Sequence, residues 1–461
     1  KKEEKMIAYL KAFGAKHNLE TKVDEAGNVL IKKPATPGKE NLQTVVLQSH
    51  IDMVCEKNND VQHDFLTDPI ETEIDGEWLK AKGTTLGADN GIGVATELAI
   101  LADDSIEHGP LECLFTVDEE TGLTGAFALQ EGFMSGDILL NLDSEDEGEI
   151  FIGCAGGIDS VAEFTYKEVV VPAGYFFFKV EVKGLKGGHS GGDIHLGRGN
   201  ANKILNRFLS RMAARHDLYL CEINGGNLRN AIPREAYAIC AVPEDAKHDV
   251  RTELNIFTSE MEDELSVVEP DLKLVLESEA PRKTAIDQDT TTRLLKALYA
   301  APHGVYAMSQ DIPGLVETST NLASIKMKPN HVIRIETSQR SSILSARNDM
   351  ANTVRAVFQL AGANVTFGEG YPGWKPNPHS AILEVAVESY KRLFGVDAKV
   401  KAIHAGLECG LFLDKYPTLD MISFGPTLTG VHSPDERMLI PTVEKFWKHL
   451  LDILAHVPAK K

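Results

Sequence analysis

The sequence predicts an α/β protein in which a largely parallel sheet is interrupted by an inserted α+β domain. Apolar, strand-like runs alternate with helix-like segments from residue 29 to residue 143, and polar or charged residues follow directly after several of these runs. The middle of the chain has the alternating pattern of antiparallel strands, and the first pattern returns after a segment rich in Pro and Gly. We therefore expect a split domain, 1–157 and 371–461, around an insertion at 158–370.

The composition is that of an ordinary globular protein with two or three domains. The chain has 461 residues, of which 43% are hydrophobic and 25% are charged. Its 68 acidic and 47 basic residues give a net charge of −21, which argues against nucleic acid or an anionic membrane as the main partner. No apolar run reaches the length of a membrane span. The 6 cysteines show no CxxC spacing, so we expect free thiols and a cytoplasmic location.

The first part of the chain contains three apolar strands that each end in acidic or histidine side chains. The sequence does not begin with Met, so we expect it to start inside a longer gene product, with a first helix at 6–18. The strands and their side chains are 44–49 with His50 and Asp52, 110–117 with Glu119 and Glu120, and 137–142 with Asp143. Because the carboxyl ends of strands in an open α/β sheet meet at one edge, we expect these side chains to lie together.

Two further candidates lie in glycine-rich loops. Asp89 precedes a helical pattern at 94–102, where an Asp is normally an N-cap, and His432 follows a strand at 421–424. Each candidate alone has an ordinary explanation as a cap, a solvated turn or a hydrogen-bonded histidine. Together they supply two imidazoles and several carboxylates, which is the donor set of two divalent metals that share a bridging ligand.

The insertion has strands and helices of its own. A strand at 175–183 leads into a Gly-dense loop that contains His189. A second block, 319–361, has a similar order of elements: paired strands, a loop at 338–346 and a helix. We expect an α+β domain, with two similar halves as one arrangement. After the insertion, Glu408 lies in a Gly-rich loop at the sheet edge and is a further candidate binding residue.

Several motifs resemble the di-zinc peptidase superfamily of carnosinases, glutamate carboxypeptidases, peptidase T and succinyl-diaminopimelate desuccinylases. These motifs are HIDMV (50–54), KGTTLGADNGIG (82–93), DEETG (118–122), NLDSE (141–145), GGHSGG (187–192) and GPTLTGVHSPDE (425–436). The segments KGLKGGHSGGDIH, LRNAIPREA and HAGLECGLF are more specifically similar to bacterial aminoacyl-histidine dipeptidases (Xaa-His dipeptidases). The resemblance spans nearly the whole chain. It implies a di-zinc exopeptidase-type catalytic domain with an inserted lid and dimerisation domain.

The resemblance implies a role for each candidate in the split domain. The zinc ligands would be His50 and Asp143 on one ion, Glu120 and His432 on the other, and Asp89 as the bridge between them. Asp52 would orient His50, and Glu119 would act as the general base. In the family the peptide bond after the bridging Asp is often cis, so the same is expected at Asp89-Asn90.

The resemblance also implies substrate contacts from the insertion. His189 matches a lid histidine that reaches the substrate carbonyl, often from the partner subunit, and that stabilises the developing oxyanion. Asn230 matches a lid asparagine near the substrate. Arg340 matches an arginine that holds a C-terminal carboxylate.

The expected reaction is metal-dependent hydrolysis of unblocked dipeptides with a preference for Xaa-His, including β-alanyl-histidine. We expect two Zn²⁺ per subunit, with Mn²⁺ or Co²⁺ as alternatives, and a homodimer through the lid. One alternative is a related di-zinc amidohydrolase, either an N-acyl-amino-acid deacylase or a tripeptidase. An alternative from another class is a metal-bound protein whose lid mainly serves association, although an inactive member should have lost Glu119 or a metal ligand.

Overall fold

The structure, a computed structural model, describes residues 2–58 and 60–460. The helices are α1 Glu4–Lys16, α2 Ala88–Ala102, α3 Glu119–Gly122, α4 Thr124–Ala128, α5 Ala201–Arg215, α6 Lys247–Leu265, α7 Gln288–Ala300, α8 Leu344–Leu360, α9 Ala381–Phe394, α10 Cys409–Lys415 and α11 Ile440–Ala455. The strands are β1 Glu20–Val23, β2 Val29–Lys33, β3 Val45–His50, β4 Thr72–Asp75, β5 Trp78–Ala81, β6 Leu111–Thr116, β7 Ile138–Asn141, β8 Glu149–Cys154, β9 Gly156–Thr165, β10 Glu168–Val170, β11 Tyr175–Lys183, β12 Tyr219–Gly225, β13 Ala236–Pro243, β14 Lys273–Ser278, β15 Thr284–Ile286, β16 Gly304–Met308, β17 Val316–Lys328, β18 Val332–Ser341, β19 Asn364–Phe367, β20 Lys399–Ile403, β21 Asp420–Ser423, β22 Leu428–Thr429 and β23 Arg437–Leu439. Among the described residues, no helix is long and apolar enough to cross a membrane.

The chain divides into two compact units. The first unit comprises Lys1–Cys154, Trp374–Ala402 and Leu407–Lys461, and the second comprises Ala155–Gly373 and Ile403–Gly406. The sequence-based boundaries, after residues 157 and 370, fall close to these divisions. Sequence patterns gave no indication that the short segment 403–406 would group with the second unit.

The first unit is built on an eight-stranded sheet with the order β1-β2-β6-β3-β7-β21-β8-β20. The central strands β6, β3, β7 and β21 run parallel, whereas β1, β2 and β8 pair antiparallel with their neighbours. Every residue of β3, β6 and β7 is buried, as expected for parallel strands covered on both faces. The predicted α/β fold is confirmed, with a parallel centre and antiparallel margins. This topology brings the carboxyl ends of four neighbouring strands to one edge.

The second unit is organised around a nine-stranded sheet that includes the path β14-β11-β13-β12-β17-β18-β9-β19. Its strands are antiparallel, and alternate residues of β11 point into a core shared with α5, α6, α7 and α8. The sequence suggested two similar halves, one beginning with the strand at 175–183 and the other at 319–361. Both contribute strands to this one sheet, since β12 pairs with β17.

The prediction of a loop at 338–346 is wrong for its first residues, 338–341, which belong to a strand. Strand β18 continues to Ser341 because it is hydrogen-bonded to β17 on one side and to β9 on the other along this stretch. Pairing on both sides outweighs the polar local sequence, which alone suggested a loop. Arg340 therefore lies on a central strand, and its backbone is fixed by the sheet.

A buried leucine in the central parallel strand tests this account of the first unit. Leu47 is 0% exposed and pairs with Cys113 of β6 and Leu140 of β7. We expect Leu47→Ala to lower the free energy of unfolding of this unit by about 2–5 kcal/mol, because it removes buried methyl groups and leaves a cavity. Urea denaturation followed by circular dichroism measures the change. Leu393→Ala in α9, where the side chain is 38% exposed, is the matched control, and equal losses in both variants would contradict the packing argument.

Candidate active site

The split domain's candidates come together at the edge where the parallel strands end. His50 is the last residue of β3, Asp143 follows β7, and Glu119 and Glu120 begin α3 just after β6. The remaining candidates reach this edge from loops: Asp89 at the start of α2 and His432 between β22 and β23.

Asp89 lies between the two histidines. Its Oδ1 is 3.1 Å from His50 Nε2, and its Oδ2 is 3.2 Å from His432 Nε2. His50 Nε2 is also 3.3 Å from Asp143 Oδ1, and His432 Nε2 is 2.9 Å from Glu120 Oε2. The cluster thus consists of two histidine–carboxylate pairs that share Asp89. These are the same pairs that the family resemblance implies for two metal ions.

Asp52 contacts the opposite side of His50. Its Oδ1 lies 3.3 Å from His50 Nδ1, and its carboxylate accepts hydrogen bonds from the backbone amides of Glu119 at 3.0 Å and Glu120 at 3.2 Å. With Nδ1 engaged in this way, Nε2 is the nitrogen that faces Asp89. One side chain therefore orients the imidazole and also anchors the turn that carries Glu119 and Glu120.

Asp89 does not cap its own helix. The residue at the N-cap position of α2 is Gly87, and no side chain at that position provides a cap. The Asp89-Asn90 peptide bond is cis, as the resemblance implies, and the Asn90 side chain hydrogen-bonds to Leu142 O at 2.9 Å and to the Asp143 carboxylate. The carboxylate of Asp89 faces the two histidines instead.

The cluster holds more negative charge than its two histidines can balance. Burial and the Asp143 carboxylate raise the pKa of Glu119 to about 9, and burial with Asp89 and Asp143 raises the pKa of Glu145 to about 8. Burial opposes protonation of His50, but Asp143 and the surrounding hydrogen bonds still raise its pKa well above the usual value. This concentration of buried carboxylates favours binding of positive charge.

The residues present fit a divalent metal. Ligand atoms of His50, Asp89 and Glu120 all lie within 4.8 Å of one another. Glu120 Oε1 is buried without a hydrogen-bond partner among the described residues, so this oxygen has an unused lone pair inside the cluster. Imidazole and carboxylate donors together suit zinc, and carboxylate-rich sites also suit manganese.

Glu408 lies at the end of the loop before α10 and is only 1% exposed. Its Oε2 accepts hydrogen bonds from Gln48 Nε2 at 2.7 Å and Thr116 Oγ1 at 2.8 Å, while Oε1 is buried without a partner among the described residues. Burial raises its pKa to about 7. Sequence reasoning did not find Gln48 or Thr116, which are 360 and 292 positions away in sequence.

A second cluster, within the second unit, contains His189. Its Nδ1 accepts hydrogen bonds from the backbone amides of Gly191 at 3.3 Å and Gly192 at 3.0 Å. Burial and the nearby Arg340 lower the pKa of His189 to about 4. The ring is therefore neutral at physiological pH, and because Nδ1 is an acceptor, the proton resides on Nε2.

Arg340 is a buried cation with uncharged partners. It is 7% exposed, and its guanidinium donates hydrogen bonds to Ser190 Oγ at 3.3 Å and to Tyr371 Oη at 3.0 Å. His189 Nε2 lies 3.4 Å away, but as an N–H it is a donor like the guanidinium and does not accept from it. Neither hydrogen-bonding partner is a carboxylate. A guanidinium desolvated in this way is suited to bind an anion.

Two other residues border this cluster. The backbone carbonyl of Asn230 accepts a hydrogen bond from the Ser190 amide at 2.7 Å, and the Asn230 side chain is exposed. His404, which sequence reasoning missed, has its Nε2 2.7 Å from Ser319 Oγ, and burial with Arg340 and His189 lowers its pKa to about 3. The motif HAGLECG was the only available signal, and it drew attention to Glu408 instead.

Comparisons with known proteins find a family and relatives that match most or nearly all of the chain. The family model described as "Peptidase family M20/M25/M40" matches residues 46–456. The cytosol non-specific dipeptidase of Escherichia coli (strain K12) is 47% identical over 458 residues, covering 99% of this chain and 94% of that protein.

Solved structures show the same relationship. The crystal structure of aminoacylhistidine dipeptidase from Vibrio alginolyticus matches with a TM-score of 0.92 and 47% identity, covering 100% of this chain and 94% of that one. A tripeptidase from Staphylococcus aureus matches with a TM-score of 0.55 and 17% identity over 98% of this chain and 91% of that one, which shows a shared fold. With a family model matching almost the whole chain and full-length relatives that are dipeptidases, the chain belongs to peptidase family M20/M25/M40 and is a metallopeptidase.

Proposed function

We propose that this metallopeptidase hydrolyses unblocked dipeptides, with a preference for a C-terminal histidine, including β-alanyl-histidine. The observation that carries the proposal is the pair of histidine–carboxylate sets on either side of Asp89, next to Glu119. The names of the two relatives that are 47% identical, a non-specific dipeptidase and an aminoacylhistidine dipeptidase, support the substrate class.

The metal centre in this proposal contains two Zn²⁺, with Mn²⁺ or Co²⁺ as alternatives. His50 and Asp143 would hold one ion, Glu120 and His432 the other, and Asp89 both. When bound, the ions would supply Lewis-acid activation of water and of the peptide carbonyl. The unpartnered Oε1 of Glu120 and the excess of buried carboxylates support a cationic occupant. A bound cation would also return the pKa of Glu119 toward its normal range.

Glu119 is the proposed general base. Its backbone amide is held by Asp52, so its carboxylate is anchored beside the ligand set without belonging to either histidine–carboxylate pair. In its ionised form it takes a proton from the attacking water and passes that proton to the leaving amine. Its neighbour Glu120 is paired with His432, so the two adjacent carboxylates have different tasks.

The cluster of the second unit supplies groups that recognise the substrate. The Nε2–H of neutral His189 donates to the carbonyl oxygen as that oxygen gains negative charge. Arg340, supported by Ser190 and Tyr371, binds the C-terminal carboxylate, and Asn230 contacts the substrate near His189. We propose that these groups act on the same dipeptide as the metal centre, within one chain or across a homodimer formed through the second unit.

Glu408 is the proposed partner of the substrate's free α-amine. Its unpartnered Oε1 and its raised pKa of about 7 are consistent with a carboxylate that becomes better stabilised when an ammonium group binds. We further propose a cytoplasmic location, which agrees with the name of the Escherichia coli relative and with the 6 free cysteines.

A dipeptide panel tests the proposed substrate class. Release of amino acids is measured for Xaa-His and other Xaa-Xaa dipeptides, each with free ends, with an N-acetyl group and with a C-terminal amide, and metal is quantified in the same sample. We expect two metal ions per chain, the highest kcat/KM for free Xaa-His, and losses of about 100-fold or more for blocked ends because buried charges are left unpaired. Faster cleavage of N-acetylated substrates or of tripeptides would favour the alternative amidohydrolases.

The role of Glu119 is tested by comparing two adjacent substitutions. We expect Glu119→Gln to keep its zinc and to lose kcat by about 100- to 10,000-fold, because a proton carrier is removed and no metal ligand is. Glu120→Gln should lose zinc as well as activity. Activity assays with metal analysis measure both effects, and a Glu119→Gln enzyme with near-normal kcat would rule out the general-base assignment.

Metal binding should depend on pH. Hydrogen bonds with Asp89 and Glu120 raise the pKa of His432 to about 10, so in the metal-free protein this ring carries a proton at neutral pH, and the pKa of His50 is also raised. Zinc must displace the proton of His432, so its affinity should rise with pH toward about pH 10, and binding at neutral pH should release protons. Calorimetric titration of chelator-treated protein in buffers of different ionisation enthalpy measures the release. A pH-independent affinity would contradict the charge state derived for His432.

A further inference from the structure

The carboxylate of Glu436 binds four consecutive backbone amides. Oε2 accepts hydrogen bonds from Leu86 N at 2.7 Å and Gly87 N at 2.9 Å, and Oε1 accepts from Ala88 N at 2.8 Å and Asp89 N at 3.2 Å. Glu436 is 2% exposed, so these bonds are shielded from water. Each oxygen accepts two bonds, and the whole carboxylate is committed to one stretch of backbone.

These amides lie where the chain enters α2. Leu86 precedes the helix, Gly87 is its N-cap residue with a positive φ of 71°, and Asp89 has a non-helical ψ of 106°. Backbone N–H groups at a helix start lack partners within the helix. Gly87 has no side chain to accept them, and the Asp89 carboxylate faces His50 and His432. Glu436, 347 positions beyond Asp89, accepts them instead.

Glu436 also belongs to the loop that carries His432. Within this loop, Ser433 Oγ donates to Gly430 O at 2.6 Å, and the Glu436 amide donates to Ser433 O at 3.1 Å. Gly430 has a φ of 69°, and a Cβ there would lie 2.7 Å from the carbonyl oxygen of Asp435, so the turn requires glycine. These hydrogen bonds hold residues 430–436 in one tight turn. The backbone of Glu436 and the backbone of His432 therefore belong to the same ordered segment.

We propose that Glu436 is a positioning residue that sets the distance between Asp89 and His432 and so preorganises the metal centre. This inference rests on the proposed function, because it takes Asp89 and His432 as metal ligands. Without the carboxylate, four amides would lack an acceptor, and the backbone that carries Asp89 would no longer be held to the loop that carries His432. The distance between the Asp89 carboxylate and the His432 ring would then be free to change.

The test compares zinc affinity in two variants of the same unit. In Glu436→Gln, the side-chain amide places an NH₂ group against two N–H donors whichever way it is turned. Glu112→Gln is the matched control: Glu112 is also 2% exposed and accepts from the Ser135 amide at 2.7 Å, but it lies at the amino end of β6. Chelator competition on metal-free protein should show a zinc Kd raised about 10- to 100-fold for Glu436→Gln and unchanged for Glu112→Gln.

The thermal midpoint of the metal-free variants separates positioning from simple capping. A Glu436→Gln protein with a lowered midpoint and wild-type zinc affinity would overturn the proposal, because the residue would then only stabilise α2. If Glu436→Gln fails to fold, Glu436→Asp applies the same criterion: a raised Kd supports the proposal and an unchanged Kd overturns it. Failure of the wild-type protein to bind zinc would instead refute the proposed metal centre itself.

Discussion

The carboxylate of Asp89 is the contact on which the arrangement of the first unit depends. It lies 3.1 Å from one imidazole and 3.2 Å from the other, and it joins the start of α2 to a loop 343 positions away. Several other carboxylates are buried around it, and burial together with their mutual repulsion raises the pKa of Glu119 and of Asp143. Such a cluster must either take up protons or bind cations. Each histidine is paired with its own carboxylate. This arrangement favours metal binding over proton uptake, because protonation of the carboxylates would not require two separate histidine–carboxylate pairs.

The sheet topology accounts for four residues of this cluster, and loops supply the other two. The order β6-β3-β7 places Glu119, Glu120, His50 and Asp143 at neighbouring strand ends with no further requirement. Asp89 and His432 lie in glycine-rich loops outside the sheet, so their positions depend on other contacts. Glu436 accepts four hydrogen bonds from the backbone of residues 86–89, one of them from the Asp89 amide, and Asp52 anchors the turn that carries the glutamates.

The sequence allowed prediction of the strand-end residues because their positions follow from local patterns. Alternation placed His50 and Asp52 on one side of a strand, and both are in contact in the structure. Arg340 was assigned to a loop because its neighbours are polar, and only pairing with two distant strands makes that segment a strand. The partners of Glu408 and the position of His404 beside Ser319 were not predictable for the same reason. Contacts across 85 to 360 positions depend on tertiary packing and leave no local periodicity.

The two clusters contain buried charges of opposite sign. Under the proposed function, this difference affects which substrates the enzyme accepts. The cluster of the first unit contains an excess of buried carboxylates, whereas the second unit buries the Arg340 cation among neutral groups, including His189 and His404 with lowered pKa values of about 4 and 3. An unblocked dipeptide carries both an ammonium group and a carboxylate. Under the proposed function, Glu408 pairs with the ammonium group and Arg340 with the carboxylate, so a blocked end leaves one of these buried groups desolvated and unpaired. The preference for substrates with free ends would then arise from charge pairing. Changing the size of the substrate's side chains would not remove this preference.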